Sequence, residues 1–576
     1  MLPTRETRAV GNPGLEADFT VERFNKRRRS LRDEYASYRS KHNEIAQHFR
    51  PRRGFYANDG ESTGRGSQGR VDGYKRSQKI VNGTPLRVSK NAQSGLQAGV
   101  TSPSRPWKRL SPSVHGLDEV PGVKEFFAET DRRMDVILAK SNFYQATHTA
   151  YADFVDHGVG AVQIDEHAED VIRCLVHPIG SWVAAANADG KIDVFYRDYN
   201  PTGHELTARF GIDALPGELA DRVRRDPYKR YQLRNAIEPN PFFAGKGVAA
   251  IGLAGFRFVS VWWVSGYERE FIHVHGYHEF PVMVFRFYRA DVGDVYGSGP
   301  GEDALGDAKQ LQFMERKKLV AIDKMVDPPL QAPSSLQQKG VSLLPGKVTY
   351  HDGNPVQSLY QLNLPIQYVL EDIAKCEQRI SETFFEDLFL MIATTVDRQV
   401  TAREIEERHQ EKLLMLGPVL ESISDELLDP AIDRVVGIMR RTGNLPEAPE
   451  ELVGVDFKVE YTSILAQAQR AIQTVAIEQG VNFTAATAQF LPEALDRLNA
   501  DGVLDAYFER IGMPPEAVRS VRDADARRAG RAQQEAQAQQ MAMLSEAAKA
   551  SRDAASAKLT EPNVLTSMLG IQPQAA

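Results

Sequence analysis

Cysteine is nearly absent: 576 residues contain two, Cys174 and Cys376, about two hundred residues apart. That excludes a disulfide framework and fits a chain that folds in a reducing compartment. No run of about 18 apolar residues occurs, so no membrane-spanning helix is expected. The first twenty residues are polar and charged and lack the apolar centre of a secretory leader. No Gly-x-x-x-x-Gly-Lys phosphate loop and no His-Glu-x-x-His zinc motif is present, which removes the commonest signatures of nucleotide and metal hydrolysis. Net charge is small for the length, −7, but it is unevenly placed. Through Leu110 the balance is +13, and over the remainder it is −20. A basic segment that meets phosphate or an acidic partner, and an acidic body that repels phosphate, is one reading; a solvated basic arm is the other.

What is present is ordinary for a folded protein, with 42% apolar and 26% charged residues, in a length that calls for more than one packed layer. Residues 1–20 read as a polar lead-in. A basic helix is predicted over Val21–Phe49 with Phe24, Leu31, Tyr35, Tyr38, Ile45 and Phe49 inward, ended by Pro51. A Gly/Ser/Asn-rich loop covers Gly54–Gly73. A second helix is expected over Lys79–Gly99 and a third, unbroken, over Val123–His157. Between Gly158 and Tyr288 the chain turns to short strand-length segments: Ala161–Ile164, Val171–Val176, Trp182–Ala185, Ile192–Tyr196, Phe256–Val264, Phe271–Tyr277 and Pro281–Tyr288. A helical insert is expected over Ala208–Ile237. The fold class is therefore α+β and predominantly helical.

After Gly301 helices dominate. One is predicted over Asp303–Met325, stopped by Asp327-Pro328-Pro329. A non-helical excursion follows, with strand candidates Val341–Leu344 and Gly346–Tyr350 and a turn at Asp352-Gly353-Asn354-Pro355. A returning helix over Pro365–Leu390 completes a helix, small β module, helix arrangement. Thr401-Ala402-Arg403-Glu404 has capping-box form and opens a stripe through Ile405, His409, Leu413, Leu416, Leu420, Ile423 and Leu427. Gly417-Pro418 should kink that helix and Gly443 should end it. Beyond Asp456 helices are expected again, ending in an Ala/Gln-rich stretch, Arg522–Lys558, with too few large apolar residues for a core.

Several features invite chemistry. His273-x-His275-x-x-His278 suggests a metal, but on a strand only His273 and His275 share a face. Gly297-Ser298-Gly299-Pro300-Gly301 resembles a phosphate cradle superficially, yet Pro300 has no N–H and no lysine follows in register; the start of a helix explains it better. The adjacent acids Glu386-Asp387 and Glu406-Glu407 point to different sides of a helix. No catalysis, metal or cofactor is expected.

A different set of segments, in order, carries a resemblance. Lys79-Ile80-Val81-Asn82-Gly83-Thr84-Pro85 leads into Gly99-Val100-Thr101-Ser102-Pro103-Ser104-Arg105-Pro106-Trp107. Tyr296-Gly297-Ser298-Gly299-Pro300 is followed by Ala304-Leu305-Gly306-Asp307, then Asp327-Pro328-Pro329-Leu330 and Ser342-Leu343-Leu344-Pro345-Gly346. Phe384-Phe385-Glu386-Asp387-Leu388-Phe389, Thr401-Ala402-Arg403-Glu404-Ile405 and Leu414-Met415-Leu416-Gly417-Pro418-Val419-Leu420 complete it. Over about Lys26–Leu452 the chain resembles the portal, or head-to-tail connecting, proteins of short-tailed double-stranded DNA bacteriophages. The resemblance implies a homo-oligomer, a dodecameric ring at one capsid vertex of the virion, assembled in the host cytoplasm, whose channel passes DNA during packaging and ejection.

It also divides the chain: 21–300 as N-terminal helices and an α+β wing, 301–326 as a first stem helix, 327–363 as the clip, 364–390 as a second stem helix, 391–400 as a tunnel loop, 401–455 as a kinked wing helix, 456–525 as a helical crown and 526–576 as the tail. Pro333, Ser334, Leu343, Leu344, Lys347, Tyr350 and Asp352 would belong to the clip, where the terminase packaging motor and later tail adaptor proteins dock. Thr394, Thr395, Val396, Asp397, Arg398 and Gln399 would form the tunnel loop, with Arg398 near phosphate. Glu371, Asp372, Glu377, Glu382, Glu386 and Asp387 are candidates to line the channel, so that double-stranded DNA, held non-specifically, slides without the tight grip of paired phosphates. Lys309, Arg316, Lys317, Lys318 and Lys324 are expected to pair with acids on neighbouring helices or to face the shell. Major capsid and scaffolding proteins are the other implied partners, and no membrane is. The alternatives left open are another head-tail adaptor or internal ejection protein, and a metal-dependent hydrolase built on the three histidines.

Overall fold

The computed structural model describes residues 19–53, 79–114, 117, 120–245, 252–326, 330–331, 357–358, 366–394, 415–452, 457–463, 465–466, 477–478, 480–487, 490–491, 499–510 and 521–556. Two compact units are formed, Met1–Ile472 and Gln473–Ala576.

The first unit opens with α1, Val21–Phe49, as the apolar spacing predicts. Thr20 caps it, its hydroxyl accepting from the Arg23 N–H at 3.3 Å, and Phe24, Leu31, Tyr35, Ile45 and Phe49 are buried along one side. Helix α2, Thr84–Val100, begins five residues later than expected. Pro85 sits in its first turn, where a missing N–H costs nothing, and the preceding N–H groups of Val81 and Asn82 are drawn off to the Gln312 side chain at 2.7 and 2.9 Å. Strand β1 spans Lys108–Pro112. The single helix expected over Val123–His157 is two, α3 (Pro121–Lys140) and α4 (Phe143–His157). The break has a partner across the fold: the Asn142 amide both donates to the Cys174 carbonyl and accepts from its N–H, each at 2.8 Å.

Two antiparallel sheets follow. Strands β2 (Val159–His167) and β3 (Val171–Val176) are joined by β9 (Val282–Arg286) in the order β3-β2-β9. Strands β4 (Trp182–Ala186), β5 (Ile192–Tyr199), β6 (Leu233–Pro239), β7 (Phe258–Val264) and β8 (His273–Tyr277) form a meander in chain order. The insert expected as helix through Ile237 is only partly so. Helices α5 (Gly203–Phe210) and α6 (Gly217–Arg225) occupy its first part, and its end is β6, the central strand. Leu233, Asn235 and Ile237 on one face and Ala236 and Glu238 on the other are all buried, so no alternation betrayed the strand. Helix α1 packs its Phe24, Leu31 and Tyr35 into the core of this five-stranded sheet.

Past β9, α7 (Pro300–Asp303) and α8 (Leu305–Val326) replace the one helix expected over Asp303–Met325. The glycines before them serve close packing rather than phosphate: a Cβ on Gly301 would fall 2.2 Å from the Asp156 carbonyl oxygen. Residues Leu330–Gln331 (β10) and Gln357–Ser358 (β11) pair antiparallel. Helices α9 (Ile366–Thr383) and α10 (Glu386–Thr394) stand where one was expected over Pro365–Leu390. They part at Phe384-Phe385, where Phe385 takes φ 54°, a left-handed backbone costing a non-glycine about 1 kcal/mol. Both rings are buried, which repays that cost.

Residues 415–423 are helical through Pro418. A π turn stands at Ser424–Leu428, and α11, Asp429–Arg441, continues from it; the turn of helix before Gly417-Pro418, on which a kink there would act, lies outside the described residues. Gly443, at φ 72°, stands just beyond the end. The extra residue of the π turn carries Glu426 against Arg286, and the Glu426 carboxylate accepts from the Arg286 guanidinium and from the Arg286 backbone N–H. Strand β12, Phe457–Tyr461, lies in a region expected to be helical. It pairs antiparallel with β1, Lys108 opposite Tyr461. In the second unit, α12 (Ala500–Arg510) and α13 (Val521–Ser556) are described, and Arg528 pairs with Asp501.

Candidate functional site

The hairpin of α8 and α9, closed by β10 and β11, is the candidate site. Its base is built into the body. Ala308, Leu311, Gln312 and Glu315 of α8 are buried, as are Ile373, Cys376 and Ile380 of α9. Asn82, from the segment before α2, ties the two helices together. Its side-chain amide donates to Glu315 of α8 at 3.1 Å and to Glu377 of α9 at 2.7 Å. The Thr84 hydroxyl adds a bond to the same Glu377 oxygen at 3.0 Å, and Gln312 donates back to the Asn82 carbonyl at 2.8 Å. Arg379 crosses from α9 to Asp307 of α8 at 2.6 Å.

From Arg316 onward no residue of α8 is buried. Phe313 (62% exposed), Leu319, Val320, Ile322, Met325 and Val326 (81%) are open, as are Tyr368 and Leu370 on α9. These apolar side chains are interspersed with Arg316, Lys317, Asp323 and Lys324, and so many of them open on one helix half mark a contact surface.

The six acids expected to line a channel separate into two groups. Glu386 is buried, and its carboxylate accepts from Arg87, from Asn91 at 2.7 Å and from Ser381 at 2.7 Å. With Glu377 it is committed to the subunit's own packing. Glu371, Asp372, Glu382 and Asp387 are at the surface. At about 100° per residue, Glu371 and Glu382 fall on the ridge opposite Ile373, Cys376 and Ile380, with Lys375 between them. Of the hairpin's cations, Lys309 pairs with Glu44 of α1 at 2.6 Å and Lys318 with Glu315 at 2.5 Å. Arg316 donates to the Lys79 carbonyl at 2.6 Å, and Lys317 lies over the Phe313 ring at 5.5 Å.

Thr394 is the last residue of α10, so residues 391–394, expected as the start of the 391–400 loop, are helical. Thr395, Val396, Asp397, Arg398 and Gln399, the capping box at Thr401, and Pro333, Ser334, Leu343, Leu344, Lys347, Tyr350 and Asp352 lie outside the described residues.

The histidines do not converge. His273 and His275 stack at 5.7 Å on β8, whereas His278 lies against Phe256 at 4.6 Å. Among the described residues no group of three metal-ligating side chains occurs, and no helix is long and apolar enough to cross a membrane. Both thiols are buried, and burial pushes Cys174 up to about 12, leaving it protonated and unreactive. Asn82 was within a quoted motif, but its role was not readable: its two carboxylate partners are more than 230 residues away.

Over residues 21–518 the sequence matches the family described as bacteriophage head to tail connecting protein. The chain belongs to that family. Among curated relatives, the probable portal protein of Bordetella phage BPP-1 is 34% identical over 543 residues, 93% of this chain and 95% of that one. The portal protein of Salmonella phage epsilon15 is 35% identical over 501 residues, 86% of this chain and 89% of its own. A solved chain from the virion of a native gene transfer agent particle covers 65% of this chain and 89% of its own at 11% identity, with a TM-score of 0.28, a likeness that carries no argument.

Proposed function

We propose that this chain is the portal subunit of a phage virion, closing with identical copies into a ring, of twelve in the family's manner, at one capsid vertex. Its bore passes double-stranded DNA during packaging and ejection, and its clip receives first the terminase motor and then tail adaptors. Capsid and scaffolding proteins surround it. The observation that carries the reading is the outer half of the α8–α9 hairpin, whose apolar side chains stand exposed among the described residues of one subunit. Neighbouring hairpins packed side by side would cover them, in a contact stabilised by about 25 cal/mol per Å² of apolar surface. The exposed acids Glu371, Asp372, Glu382 and Asp387 would then face the bore or a neighbour, and the Thr394–Gln399 segment would face DNA.

Electron microscopy and native mass measurement of the purified protein test this. Rings with a central hole are expected, and the paired substitution F313E and V326E should leave a folded single subunit. Wild-type particles that stay single, or rings of the doubly substituted protein, would refute it. Arg398→Ala should leave rings intact while packaged DNA leaks; normal retention and infectivity would remove Arg398 from contact with phosphate.

A further inference from the structure

The face of the five-stranded sheet that carries His273 holds a second feature. Arg197 of β5, Asn235 of β6, Trp262 of β7 and His273 of β8 are successive cross-strand partners, so their side chains share one face. The Arg197 guanidinium lies 4.6 Å from the Tyr199 ring and 5.4 Å from the Trp262 ring. From α5, Arg209 lays its guanidinium over the same Trp262 ring at 4.4 Å and donates to the Tyr199 hydroxyl at 3.2 Å. Phe210 adds its ring 5.5 Å from Trp262 and 5.9 Å from His273.

The other deeply placed arginines have carboxylates: Arg28 has Asp198, Arg286 has Glu426 and Arg434 has Glu279. Among the described residues neither Arg197 nor Arg209 has an ion-pair partner. Arg197 meets only neutral groups, including His177 at 3.3 Å, and its Nε is sealed from solvent without a hydrogen-bond partner. Asp165, the one carboxylate acting on Arg197, is already held by Gln163 at 2.9 Å and the Tyr277 hydroxyl at 3.0 Å. Burial pushes the Arg197 guanidinium pKa down, and Arg209 adds to that. Two like charges drawn onto one indole, with no ion-pair partner among the described residues, lack a close complement.

We propose that Arg197 and Arg209, with His273 beside them, form a binding site for one tetrahedral oxyanion of the phosphate class. Cation–π contact holds both forks in place before the ligand arrives, which lowers the entropy lost on binding. The site needs no second subunit and does not depend on ring closure.

Titration of the full chain with inorganic phosphate, followed by phosphorus NMR line width at constant ionic strength, tests it. The second arm uses a short single-stranded oligonucleotide, which separates a phosphodiester from the free ion. Binding in the millimolar range is expected in at least one arm. Arg209→Gln, at an exposed position that folding tolerates, should weaken it about tenfold, as for one charge-assisted hydrogen bond. Arg224→Gln, on α6 and paired with Asp221, should change nothing. No binding in either arm, wild-type affinity in R209Q, or equal weakening by R224Q would each overturn the site.

Discussion

Removing the Asn82 side chain as Asn82→Ala isolates what holds the hairpin to the body. The amide makes two hydrogen bonds to carboxylates on different helices, Glu315 and Glu377, and its oxygen accepts the Thr84 N–H at 2.8 Å, fixing the first turn of α2. Bonds to charged groups contribute about 1.5–3 kcal/mol each. Glu315 is 8% exposed but keeps Lys318 as a partner, and Glu377 is half-buried and keeps the Thr84 hydroxyl. The lower end of that range applies to each, and the expected loss is about 3 kcal/mol. Guanidinium unfolding of the N82A chain measures it. Because Glu377 loses its chief donor in N82A, adding Glu377→Gln should cost about 1 kcal/mol less than it does alone. A loss below about 1 kcal/mol, or additivity of the two changes within about 0.5 kcal/mol, would refute the clamp.

Two further outcomes follow from buried charge. Glu426→Gln leaves the Arg286 guanidinium, 1% exposed, without its counter-charge, facing only neutral oxygens, the carbonyls of Gly190 and Asp294 among them. A loss of about 3–5 kcal/mol is expected on unfolding, much of it recovered when Arg286→Met and Glu426→Leu are combined. Burial holds His42, His157 and His177 below the ordinary histidine range, so each is neutral when folded and takes a proton when unfolded. Their contribution is complete above pH 6.5 and is lost as pH falls below it, each at up to about 1.4 kcal/mol per pH unit. The H42F chain, its ring among Tyr35, Tyr38 and Tyr296, should show a shallower slope than wild type between pH 6.5 and 5; an unchanged slope would show that His42 does not titrate in this range.

Local signals were legible in the sequence and distant partners were not. The α1 boundaries came from apolar spacing and Pro51, and most strands of the two sheets from β-branched runs and turns. The α3–α4 break escaped because its cause is the Cys174 backbone, and β6 escaped because a central strand buried on both faces does not alternate. Strand β12 is a different matter: Phe457, Val459 and Tyr461 alternate with Lys458 and Glu460, a period-two pattern that outweighs the helical surroundings once β1 is known to be its partner. At the hairpin, the outgoing and returning helices were readable, though the break at Phe384-Phe385 was not. Which acids face outward was not, because Glu377 and Glu386 answer to Asn82, Thr84, Arg87 and Asn91 on another element.

The charge asymmetry of the sequence acquires a physical meaning through these partners. Seven of the 23 cations in the first 110 residues are matched by these pairs inside the same chain: Arg23 by Glu238, Arg28 and Arg32 by Asp198, Lys41 by Glu302, Arg50 by Asp156, Arg53 by Asp153, and Lys108 by Asp131 and Asp135. Helix α1 is thus a basic strap fastened to an acidic body, and not a free arm awaiting phosphate. A cation matched in this way is unavailable for counterion release on DNA, so it adds nothing to a salt-dependent grip. On the outer ridge of α9 the balance is reversed, with Glu371 and Glu382 flanking the single Lys375. A polyanion near that ridge meets net repulsion over a Debye length of about 10 Å at 0.1 M salt. Non-specific DNA binding by the isolated subunit should therefore be weak and show a shallow salt dependence. A steep slope, of several phosphates neutralised, would mean that cations outside the matched set dominate the surface.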